Sequence, residues 1–234
     1  MEATPARTGL IGNRLALAGA VLYLLEWVAI IASTPPGPFA PGTSASKVMR
    51  EYADNADKAV FAAAWFAIVL VGRVLYIAGV KASLRNSARD GGLLDLALGA
   101  MAISVVIEVI SYGIAAAAAQ LADSGAEQGV VLALDRAAYW VNLMIWGPIG
   151  VAVLACAVAM LRSRLFATWL TWVGIVAGIA GLAACLLFGA TTTSDEPSGA
   201  GEALMGLTAL PMWVWMIGTG VVLWRRTSSQ DNAN

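Results

Sequence analysis

Histidine is absent from the 234 residues, cysteine occurs twice, and charged side chains make up only 12% of the chain. Each scarcity removes a class of function. Without histidine the commonest ligand of zinc, haem, copper and non-haem iron is missing, so neither a metal nor a cofactor is expected. A soluble domain carries about 25% charge. Here the charge is far lower, 59% of residues are hydrophobic and the mean hydropathy is +0.76, which excludes a cytosolic enzyme and a disordered chain. Fourteen basic residues offset by fifteen acidic ones leave no positive field for nucleic acid. The remaining class is an all-α polytopic membrane protein whose first partner is the lipid bilayer.

A membrane helix needs about 20 mostly apolar residues. Six such runs are present, at 15–32, 59–80, 93–121, 137–161, 166–188 and 204–224, and they predict one integral membrane domain over the whole chain. Arg7, Arg14, Lys81, Arg85, Arg89, Arg162, Arg164, Arg225 and Arg226 fall on one side of these runs, against Lys47, Arg50, Lys58 and Arg136 on the other. Cytoplasmic segments retain positive charge, so both termini are expected inside. Trp169, Trp172 and Trp224 then lie at the inner interface and Trp140 at the outer one. The first run reads as an uncleaved span, because Glu26 and Trp27 interrupt it and no small-residue cleavage site follows.

The outer connection 33–58 opens with Pro35, Pro36 and Pro38, which cannot be helical, and then repeats Val48, Met49 and Tyr52 at helical spacing. An amphipathic helix over 44–57, lying on the outer surface, is expected. The acidic 191–203 connection reads as a mobile loop and residues 227–234 as a disordered tail. Cys156 and Cys185 sit at opposite ends of neighbouring spans, too far apart to bridge. Gly174, Gly178 and Gly181 follow the small-residue spacing that lets membrane helices approach closely. Gly147-Pro148 and Pro211 should bend spans four and six.

Inside a bilayer an ionisable side chain costs roughly 2.5 to 3.5 kcal/mol on insertion scales, so each one needs a reason. Glu26, Arg73 and Glu108 fall within about 10 Å of one another in depth, which makes pairing available. Residues three and four apart share a helix face. That rule places Tyr23, Glu26 and Trp27 together on span one, and Ser104, Glu108, Ser111 and Tyr112 on span three. Arg73 and Tyr76 share span two, while Asp135, Tyr139, Asn142 and Trp146 share span four. One reading is a hydrated cavity surrounded by the first four spans and buttressed by the last two. In it Glu26 and Glu108 are the candidate catalytic or proton-active groups, and Tyr23, Trp27, Arg73, Tyr112, Asp135, Asn142 and Trp146 the candidate ligand-binding ones. The alternative is structural: Arg73 snorkels to the inner headgroups and the carboxyls hydrogen-bond within the bundle.

The order of features resembles a group of uncharacterised actinobacterial integral membrane proteins. The residues that carry the likeness are the proline-rich outer connection, Val48-x-x-x-Tyr52-x-x-Asn55, Arg164 to Gly174, Leu210-Pro211-Met212-Trp213 and Gly218-Thr219-Gly220. These are packing motifs, so the resemblance implies six spans and no catalytic residue. Three classes of function compete. A binder or carrier would take an amphipathic small molecule, with a homodimer making up for the small number of spans. An enzyme would use one protonated carboxyl as general acid on a lipophilic isoprenoid- or polyketide-like substrate. An accessory subunit would leave the polar stripes as internal glue.

Overall fold

The computed structural model describes residues 5–84, 91–191 and 199–231. Among them every regular element is a helix. The helices are α1 (Pro5–Leu24), α2 (Glu26–Ser33), α3 (Ala45–Asp54), α4 (Ala56–Val69), α5 (Val71–Leu84), α6 (Gly91–Asp123), α7 (Gln128–Leu143), α8 (Trp146–Ser163), α9 (Thr168–Thr191) and α10 (Gly199–Asp231). Five stretches of the described residues are long and apolar enough to cross a membrane: Ile11–Val28, Ala56–Leu84, Gly91–Asp123, Gln128–Ser163 and Thr168–Leu187.

The elements pack in chain order around a ring. α1 lies along α5, α4 and α5 lie along α6, α6 along α7 and α8, α8 along α9, α9 along α10, and α10 returns to α1. The tightest seam is α1 on α5, where a β-carbon on Gly19 would stand 2.6 Å from the Gly72 carbonyl oxygen and one on Gly72 would stand 2.6 Å from the Tyr23 amide. Only glycine lets two helix backbones meet at that distance. In the α8–α9 seam Gly150 and Gly178 do the same work.

Three of the expected spans are not single helices. The run 15–32 breaks at Leu25, 59–80 breaks at Leu70, and 137–161 breaks at Met144 and Ile145. At each break hydrogen bonds tighten to the three-residue pattern, as in Leu25 N to Leu22 O (3.1 Å), Arg73 N to Leu70 O (3.0 Å) and Met144 N to Val141 O (3.2 Å). The expected bend at Gly147-Pro148 is therefore placed just before it. Pro148 is the third residue of α8, a first-turn position where its missing N–H has no intrahelical partner to lose. Pro211 does lie inside α10.

Two expectations about irregular segments are corrected. Helix α10 starts at Gly199, inside the expected 191–203 loop, and runs to Asp231, well into the expected 227–234 tail. Residues 192–198 and 232–234 lie outside the described residues. Both cysteines are free.

Candidate functional site

Each helix break delivers a polar or aromatic side chain to the middle of the ring. Glu26 is the first residue of α2, Arg73 the third of α5, Asn142 the last but one of α7 and Trp146 the first of α8. Trp65 holds the first break open by donating its indole N–H to the Leu25 carbonyl at 2.7 Å.

At the centre the guanidinium of Arg73 donates to the Glu108 carboxylate in a buried ion pair. The Arg73 side chain is 1% exposed, so it does not snorkel to the headgroups. Its carbon end lies 4.8 Å from the centroid of the Tyr23 ring. The Tyr23 hydroxyl in turn hydrogen-bonds the Glu26 carboxyl, and Glu26 is within electrostatic reach of both Arg73 and Glu108. One guanidinium therefore stands between two carboxyls and is hydrogen-bonded to only one of them. Two buried donors beside this cluster, Arg73 Nε and Trp146 Nε1, have no partner among the described residues.

These groups face a cavity of about 220 Å³ lined by Tyr23, Glu26, Trp27, Arg73, Glu108, Tyr112, Asn142 and Trp146 together with the apolar Ile30, Ile145, Ile149, Ala209, Met212 and Trp213. Eight of the nine residues singled out in the sequence thus meet at one place. The chain belongs to the DUF4386 family. That family, a domain of unknown function, matches residues 17–224, a range that contains every residue of the cavity. No curated protein and no solved structure matches the chain.

Within this family member Asp135 is the ninth residue, and it lies elsewhere. Its side chain is fully buried and accepts from the Phe39 amide at 2.9 Å and the Tyr52 hydroxyl at 2.8 Å. Arg136 beside it donates to the carbonyls of Phe39 (3.2 Å) and Pro41 (2.6 Å). Together they clamp the proline-rich connection and α3 against α6 and α7. Burial, and then the Asp135 carboxylate, push the Tyr52 phenol well above its ordinary pKa, so it stays a donor. The stripe residues Ser104 and Ser111 are likewise structural, donating to the Met101 and Ala138 carbonyls.

The expectation that the last two spans only buttress the cavity is corrected for α10. Ala209, Met212 and Trp213 form one wall, with the Trp213 ring 4.6 Å from that of Tyr23 and 5.7 Å from that of Trp27. The signal was in the chain: positions 209, 212 and 213 share a helical face directly beside Pro211.

Proposed function

We propose that the protein is a six-span protein of the bacterial cytoplasmic membrane, with both termini inside, whose intramembrane cavity binds a small amphipathic molecule and exchanges a proton at Glu26. Helix α10, which closes the ring on α1, is the sixth crossing. The charge balance of the cluster carries the reading. Arg73 neutralises Glu108, and the second carboxyl, Glu26, is balanced by a proton or by something that enters the cavity. The titratable or charged groups facing Glu26 are Tyr23, Arg73, Glu108 and Tyr112. Membrane carriers commonly place their sites at broken helices near mid-membrane, and three breaks converge here.

Size favours this reading over the enzyme. A volume of 220 Å³ lies below the roughly 300 Å³ at which pockets for drug-sized ligands begin, and the enzyme reading needs an isoprenoid- or polyketide-sized substrate.

Two measurements test the proposal. In a Cys185→Ala background, Ala209→Cys should be modified by the small neutral reagent methyl methanethiosulfonate, while the buried native Cys156 serves as the inert control. Modification of Ala209→Cys no faster than Cys156 would overturn the open cavity. Glu26→Gln preserves shape and can still accept the Tyr23 hydroxyl, so the variant should fold with unchanged melting temperature. It should also lose proton uptake or release when the cavity fills, and a variant that keeps the exchange moves the proton site to Glu108.

A further inference from the structure

The cavity wall carries more acid than base. With Glu26 ionised it presents two carboxylates to one guanidinium, so an anion entering it would face a net negative site and a cation a complementary one. Its lining is also rich in aromatic side chains. Arg73 occupies the Tyr23 ring, Phe66 packs on Tyr112 with centroids 4.3 Å apart and Trp213 packs on Tyr23 and Trp27, and the indoles of Trp27, Trp146 and Trp213 all line the cavity. Indole faces attract cations more strongly than any other side-chain ring, and a desolvated site strengthens that attraction.

The two unpartnered donors complete the specification. Arg73 Nε and Trp146 Nε1 are buried N–H groups with no acceptor among the described residues, and a buried donor left unpaired is costly. Each belongs to a residue of the cavity lining. An acceptor atom carried by the ligand would satisfy one or both.

We propose, resting on the cavity reading above, that the ligand class is a small organic monocation with one hydrogen-bond acceptor, of the amino-alcohol type, seated with its ammonium at Glu26 and its acceptor toward Arg73 Nε and Trp146 Nε1. Trp213 and Trp27 close over the apolar part of the ammonium group. Glu108 stays with Arg73, so the binding charge is Glu26. The volume of about 220 Å³ suits a molecule the size of choline.

The test uses the full chain in detergent and radiolabelled choline as the probe. Choline should bind saturably. Its uncharged carbon isostere, dimethylbutanol, should compete about 30-fold more weakly, because it keeps the shape and hydroxyl but loses the cationic attraction. Ethyltrimethylammonium, which keeps the charge but lacks the hydroxyl, should fall between the two. Glu26→Gln should lose choline binding, and Trp213→Phe should weaken it while retaining the wild-type melting temperature, so that a folding defect is not mistaken for a lost site. Dimethylbutanol competing as well as choline, or undiminished binding by Glu26→Gln, would overturn the cationic ligand. Absence of choline binding while Ala209→Cys still reacts overturns the ligand class and leaves the cavity reading standing. Absence of both overturns the two together.

Discussion

At the scale of single residues the decisive fact is that Arg73 and Glu108 are buried in each other's company. Removing one partner of a buried ion pair strands the other, at a cost of about 3 to 5 kcal/mol, whereas removing both avoids the stranded charge. Arg73→Gln and Glu108→Gln should each lower stability steeply, and the double variant should lose clearly less than the sum of the two. Thermal unfolding of the three variants in detergent measures this, and additive losses would show that the pair is not coupled. Arg73 also packs on Tyr23, so Arg73→Gln should be the more damaging single change. Glu26 differs in kind. It is 8% exposed, lines the cavity and is bonded to a neutral hydroxyl, which makes it the carboxyl free to change partners.

At the scale of elements, the breaks and the glycine seams act together. The α1–α5 seam brings Tyr23 and Arg73 within touching distance because Gly19 and Gly72 remove the side chains that would separate them. Gly72→Ala drives a methyl group into the backbone of α1. Gly99→Ala, on α6, meets nothing within 4 Å and replaces a poor helix former by the best one. The first should therefore destabilise by several kcal/mol, as overpacking against backbone does, and the second should be neutral or raise stability by up to about 1 kcal/mol. Melting temperatures of the two single variants check the contrast, and equal effects would mean that the seam yields. The cap is a separate element. Asp135 and Arg136 anchor the connection before α3 by its backbone, so α3 covers the α6–α7 end of the ring without contributing to the cavity.

At the scale of the whole molecule, basic charge and three exposed tryptophans gather at one end of the ring. Arg226 reaches from α10 to the Leu165 carbonyl and lies over Phe166, which puts the C-terminal arginines beside the α8–α9 connection with Arg162 and Arg164. Lys81 pairs with Asp95 across the ends of α5 and α6. Trp169, Trp172 and Trp224 are all exposed on α9 and α10 next to these arginines, as side chains of a headgroup layer are. With the basic end in the cytoplasm, as proposed above, a cysteine at Ser46, on the α3 side, should react with an impermeant maleimide applied to intact cells, and a cysteine at Ser228 should not. The reverse pattern would invert the orientation.

The apolar runs, the scarcity of charge and the helical spacing of Tyr23, Glu26, Trp27, Glu108 and Tyr112 were sufficient in the sequence to indicate a membrane helix bundle and most of the cavity lining. Those signals are local: a hydropathy sum and a period of 3.6 residues depend only on near neighbours in the chain. The helix breaks at Leu25 and Leu70 carry no proline and were not legible, because the bonds that stabilise them, such as Trp65 to Leu25, join residues far apart in sequence. The same reason separates Asp135 from Asn142. Both lie on the stripe of α7, but which end of that helix faces the cavity and which faces Phe39 and Tyr52 depends on where the 34–44 segment folds back. The α10 wall and the pairing of Gly19 with Gly72 were also decided by ring closure, since a helix face acquires a function only when its neighbour is known.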